Sequence, residues 1–168
     1  TAGVSLTAQQ PYNNVIRTAM QSLAAVLGGT QSLHTNSRDE TYALPTEESV
    51  TIALRTQQII AEESGAASVI DPLGGSYFVE WLTDVVEEAV LQEFERLSDR
   101  GGVLGAMELQ YQRTKIQEES LYYERLKHDG TLPIIGVNTW LDPRTTAADW
   151  EPPPVELRRA TPAEKDAQ

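Results

Sequence analysis

At 168 residues, with 40% hydrophobic and 23% charged side chains, the chain has the length and profile of one soluble globular domain. It has no cysteine, which excludes disulfides, thiolate nucleophiles and cysteine-ligated zinc. A formal charge of −12 argues against nucleic acid, and no apolar run approaches the roughly 20 residues that crossing a bilayer requires. The first residues are small and polar, without a signal-peptide pattern, so a cytoplasmic location is expected.

In chain order, a loop from Thr1 leads to a helix predicted over 13–28, with Asn13 as its N-cap. Ile16, Met20, Leu23 and Leu27 form its apolar stripe at helical period, and Gly28-Gly29 end it. Gln31 to Asn36 reads as a short buried strand. A second helix over 46–64 has Thr46 as N-cap, Glu47 and Glu48 at its positive end, and Gly65 as its stop. Ser68 to Asp71 reads as a second, β-branched strand. A third helix over 76–100 places Leu82, Val85, Val86, Ala89, Val90, Phe94 and Leu97 on one face. Gly101-Gly102 separate it from a polar fourth helix over 104–127, and Pro133 to Asn138 reads as a last short strand. From Asp142 onward, Pro152-Pro153-Pro154 and scattered charges read as an extended linker.

This alternation predicts an α/β fold of parallel strands joined by helical crossovers. Two or three such units do not close a barrel, which takes about 250 residues. The expected architecture is therefore part of a larger barrel, with a small doubly wound sheet as the alternative.

In such folds the working groups sit beyond the C-terminal ends of the strands. Four stretches occupy that place: Thr1 to Thr7, His34 to Leu44, Asp71 to Ser76, and Asn138 onward. The second is the richest, with His34, Asn36, Arg38, Asp39 and Glu40. His34 reads either as a donor into a pocket or as a satisfied barrel-interior histidine. Asp39 and Glu40 are adjacent, so their carboxyls point apart and do not form an acid–base pair; by itself Glu40 reads as a surface carboxylate. Gly74-Gly75-Ser76 before a helix suits either a phosphate cradle or a serine cap, and without a lysine it is not a P-loop.

The segment SLTAQQPYNNVIRTAMQSLAAVLGGTQSLHTN (5–36) resembles the methylmalonyl-CoA mutase family, the adenosylcobalamin-dependent acyl-CoA mutases. The resemblance continues through RDETYALPTEES, ALRTQQIIAEESG, DPLGGSYFVEWLT, KIQEE and IIGVN, and so covers roughly residues 1–140. IQEESLYYERLKHDGTLPIIGVNTW is more similar to the fused isobutyryl-CoA mutase branch, and Ala2 and Val4 depart from the Ser and Trp usual in the methylmalonyl enzymes.

The resemblance implies the C-terminal part of a (β/α)₈ TIM barrel over residues 1–141, with a linker-like tail over 142–168. It implies an isomerase that rearranges the carbon skeleton of a short-chain acyl-CoA by radical chemistry, with adenosylcobalamin as cofactor. The expected partners are the acyl-CoA substrate, a cobalamin-binding domain or subunit, and a second subunit in a homodimer or heterodimer. Gly3 resembles the glycine whose backbone lies against the corrin, and Glu40 the glutamate that accepts from the ribose of the adenosyl group. Ala43 and Leu44 match the small and apolar positions lining the same cofactor face. The acyl-holding residues and the cobalt-ligand motif Asp-x-His-x-x-Gly have no counterpart in this chain, so no catalytic or metal residue is assigned and the chain alone is expected to be inactive. The competing reading is a non-catalytic barrel segment that serves assembly, with helices 76–100 and 104–127 in a subunit interface.

Overall fold

Helix boundaries fall where local chemistry puts them. In the computed structural model, which describes residues 1–146 and 157–167, α1 spans Asn13–Leu27, α2 Glu47–Glu62, α3 Tyr77–Ser98, α4 Gly102–Glu108, α5 Tyr111–Asp129 and α6 Pro162–Asp166. Thr46 caps α2 as expected, its hydroxyl accepting from the Ser49 N–H at 3.3 Å, and Glu47 and Glu48 occupy the first turn. Asn13 does not cap α1; it is the first helical residue, and the capping position belongs to Tyr12, which makes no side-chain cap bond. The chain divides into two units, Thr1–Leu73 with Asp142–Gln168 and Gly74–Leu141.

The predicted strands do not form. Among the described residues there are only two isolated bridges, Leu44 with Arg158 and Ile135 with Thr139. Residues 33–37 take no regular secondary structure and lie on α2 rather than in a ladder: Thr35 Oγ1 donates to Ala53 O at 2.9 Å, and Gln57 Nε2 donates to Thr35 Oγ1 at 3.0 Å. Ala66–Ser68 make a 3₁₀ turn after Gly65, and Ile70, placed in a strand from its β-branching, is 99% exposed. Ile134 to Asn138 fold as a turn, with Val137 and Asn138 N–H both on Ile134 O. The physical reason is shared by all three. A parallel strand satisfies its N–H and C=O groups only through neighbouring strands, and β-propensity cannot supply a neighbour.

The expected continuous helix over 104–127 is two helices. Gln110 adopts φ 61°, a left-handed conformation that ends α4 and starts α5 without any Gly or Pro to announce it. The start of α4 packs against the turn before it so closely that a Cβ on Gly105 would lie 2.1 Å from Arg100 O. In the tail, Pro143–Thr146 form a 3₁₀ turn and α6 begins with a capping box between Thr161 and Glu164; Pro152-Pro153-Pro154 lie outside the described residues. No helix among the described residues is long and apolar enough to cross a membrane.

Burial also differs from expectation. On α1 the buried residues are Asn14, Thr18 and Ser22, one polar stripe at i, i+4 and i+8. Ile16 and Met20, the start of the expected core stripe, are exposed. α3 buries no residue, and Trp81, Leu82, Val85, Val86, Val90 and Phe94 all stand exposed along it. Amphipathic faces of this length are built to be covered.

Candidate functional site

Two of the four loops singled out in the sequence come together in the first unit. The Thr1 nitrogen donates to His34 O, Thr1 Oγ1 donates to Asn36 Oδ1, and the Asn36 N–H donates to Thr1 Oγ1 at 2.9 Å. Two residues further along, a Cβ built on Gly3 would meet Asn36 Nδ2 at 3.5 Å and Glu40 Cγ at 3.9 Å. Residue numbers rise together along the two segments, the sense of a parallel βαβ crossover around α1. Gly3 and Glu40, assigned by resemblance alone, are therefore neighbours in space.

The turn after residue 37 separates the two adjacent acids. Asp39 points inward and is 1% exposed; Glu40 points out, and its carboxylate has no protein partner among the described residues. The Tyr42 and Ala43 N–H groups both donate to Asp39 O at 3.1 Å, which curls the turn. Asp39 Oδ2 accepts from the Thr46 N–H at 3.1 Å and so ties the turn to the start of α2. Burial opposes ionisation of Asp39, but the Thr46 N–H bond, with the Ser37 and Ser49 hydroxyls near by, outweighs it and holds the carboxyl below its ordinary range, although Oδ1 and Ser37 Oγ lack a hydrogen bond of their own among the described residues. Its role is structural.

Ala43 is half-buried and Leu44 half-exposed, the latter in an antiparallel bridge with Arg158 of the tail. His34 is exposed, and with Glu40, Thr35, Val50, Leu54 and Gln57 it lines an open cleft of about 250 Å³.

The other two loops are divided between the units, Gly74–Ser76 and Asn138–Leu141 belonging to the second. The Gly75 N–H, one of the donors a phosphate would need, donates to Glu80 Oε1 at 3.0 Å. A carboxylate in that place answers for the glycines without an anion. Asn138 organises its own turn: Nδ2 donates to Lys127 O and Leu132 O at 2.8 and 2.9 Å, and Oδ1 accepts from the Ile134 N–H at 2.6 Å. Among the described residues no three His, Cys, Asp or Glu side chains group as metal ligands.

Sequence reasoning missed the polar stripe of α1. Asn14 binds both loops, Thr18 Oγ1 reaches Asn36 O at 3.4 Å, and Gln21 bridges Ser5 and Ala2. The signal was present, since residues 14, 18 and 22 share the helical period used to choose the apolar stripe. Hydrophobicity was the wrong property to follow there.

Among the described residues an added Cβ at position 3 meets only ordinary van der Waals contacts, so the Gly3 backbone stands open. An unpartnered carboxylate stands beside it. That combination fits a flat ligand with a hydroxyl-bearing group, as adenosylcobalamin is.

The family model described as methylmalonyl-CoA mutase matches residues 1–165. Fused isobutyryl-CoA mutases of Geobacillus kaustophilus and Cupriavidus metallidurans are 58% and 57% identical over all of this chain, which spans 15% of each of them. The methylmalonyl-CoA mutase of Escherichia coli is 46% identical over 83% of the chain and 20% of its own length. By sequence, with the match running across both units, this chain belongs to the methylmalonyl-CoA mutase family.

Proposed function

We propose that the chain is the late part of the barrel of an adenosylcobalamin-dependent acyl-CoA mutase, acting in the cytoplasm on isobutyryl-CoA and butyryl-CoA. Residues 1–141 form the barrel portion and 142–168 the tail. The observation that carries the reading is the pairing of Gly3 with an unpartnered Glu40 on adjoining loops. The choice of acyl group follows the higher identity, over the full chain, to fused isobutyryl-CoA mutases. The exposed apolar face of α3 and the unpaired 33–37 segment are consistent with the same reading: in a barrel, strands lie beneath the first and pair with the second.

When bound, adenosylcobalamin supplies homolytic, one-electron chemistry. This chain's residues hold and enclose it. Glu40 accepts from the vicinal ribose hydroxyls, Gly3 leaves room for a macrocycle to approach its backbone, and Ala43 and Leu44 keep water away. The acyl-CoA, the cobalamin-binding domain and a second subunit bind through the remainder of the protein.

The full-length protein with adenosylcobalamin is expected to interconvert isobutyryl-CoA and butyryl-CoA faster than methylmalonyl-CoA and succinyl-CoA, while the isolated 168-residue chain turns over neither pair. Chromatography of the CoA esters reads this, and an inactive holoprotein, or a preference for methylmalonyl-CoA, overturns the corresponding part. Gly3→Ala provides a separate check. It is expected to leave thermal stability within about 0.5 kcal/mol, since the added methyl meets only ordinary contacts. Cobalamin affinity, read by visible absorbance, should fall by at least tenfold.

A further inference from the structure

Asn14 is fully buried in the first turn of α1, and its amide makes every hydrogen bond open to it. Oδ1 accepts from the Thr7 N–H at 3.0 Å and from Arg17 Nη1 at 2.9 Å. Nδ2 donates to Thr7 O at 2.8 Å and to Arg38 O at 3.0 Å. One side chain thus clamps the end of the Thr1–Thr7 loop to the residue two places before Glu40. Arg38 is held a second time by its guanidinium over the Tyr12 ring at 4.7 Å, so the approach to Glu40 is fastened from both backbone and side chain.

We propose that Asn14 is a positioning residue for the cofactor, a latch that fixes the loop bearing Gly3 against the turn bearing Glu40 so that both face one ligand. The proposal rests on the reading of Glu40 as the ribose acceptor. Hydrophobic packing cannot perform this task, because the groups to be joined are backbone N–H and C=O groups, which are costly to bury unpaired and directional when paired. A buried amide with two donors and two acceptor sites joins both loops without carrying a charge. Ser22, two turns along the same buried stripe, bonds only within the helix, from its hydroxyl to Thr18 O at 2.7 Å, and so serves as a control for burial alone.

The test uses the full-length protein with Asn14→Asp, which keeps size and acceptors but loses the donors to Thr7 and Arg38; Asn14→Gln is the second variant should the first not fold. Hydrogen exchange over residues 38–44 reads the latch itself. Expected is at least tenfold faster exchange there in the Asn14 variant and none in Ser22→Ala; unchanged exchange overturns the latch. Affinity for adenosylcobalamin is then measured in the Asn14 variant, in Glu40→Gln and in the double variant. If Asn14 acts through Glu40, each single change weakens binding about tenfold and the double change is no worse than Glu40→Gln alone. Additive losses overturn the positioning role. If Glu40→Gln alone leaves affinity unchanged, the ribose reading fails and the cofactor role of Asn14 falls with it, while fast exchange at 38–44 would still show the latch as a fact of the fold.

Discussion

Glu40→Gln in the full-length protein is expected to weaken adenosylcobalamin binding by roughly 5- to 30-fold while leaving acyl-CoA affinity unchanged. The argument starts from place. Glu40 follows the 33–37 segment, points away from the buried side of its turn, and stands within contact of the Gly3 position without a protein partner among the described residues. A hydrogen bond to a charged group contributes about 1.5–3 kcal/mol, and a neutral amide of the same shape keeps only part of it. A loss of about 1–2 kcal/mol corresponds to that range of affinity, at tenfold per 1.4 kcal/mol. The rate of the radical step should fall as well, since a displaced adenosyl group is displaced from its substrate. Equilibrium titration of the variant with adenosylcobalamin and with the acyl-CoA separates the two ligands. Equal affinity for the cofactor in wild type and variant would return Glu40 to the role of a solvated surface charge.

Asp39→Ala should act on the scaffold of the site instead. Its carboxylate is buried and takes the Thr46 N–H that opens α2, so removing it leaves that donor without its partner inside the protein. Loss of one member of a buried, charge-assisted pair costs about 1.5–3 kcal/mol. Exchange protection of the amides at Thr46 to Val50 in the full-length protein should fall by a corresponding factor, roughly 10- to 100-fold. The wild-type protection should itself depend on acidity. Hydrogen bonds hold the Asp39 carboxyl below its ordinary value of 3.8, so the ionised form stabilises the fold. That contribution is complete above about pH 4 and disappears as the pH falls through the lower folded-state value. The alanine variant should lack this acid-dependent component, and an unchanged pH profile in the variant would show that another group is responsible.

Helix placement was legible because its determinants are local. Thr46 with two following glutamates starts α2, and the Gly28-Gly29 and Gly101-Gly102 pairs end α1 and α3 wherever the rest of the protein lies. Gly3 and Glu40 were singled out on another ground: their assignment came from resemblance over nearly the whole chain, and no property of either residue alone distinguishes it. The break at Gln110 was not legible, because a left-handed glutamine carries no sequence mark of its strain.

Tertiary structure decided what depends on partners. The segments at 31–36 and 68–71 have the composition of strands, yet a strand is a relation between two segments, and among the described residues no second segment pairs with either. On α1, hydrophobicity selected Ile16 and Met20 for the core, whereas the fold buries Asn14, Thr18 and Ser22. Burial follows what lies opposite a face. Opposite this one lie the backbone groups of two loops, which need hydrogen bonds and reject an apolar cover. The sequence by itself determined the extents of α1, α2 and α3 to within two residues, since caps and glycines act within a turn of the residues that carry them; the break at Gln110, which faces are buried and which loops meet, the tertiary structure alone decided, because those contacts join groups that are distant in the chain.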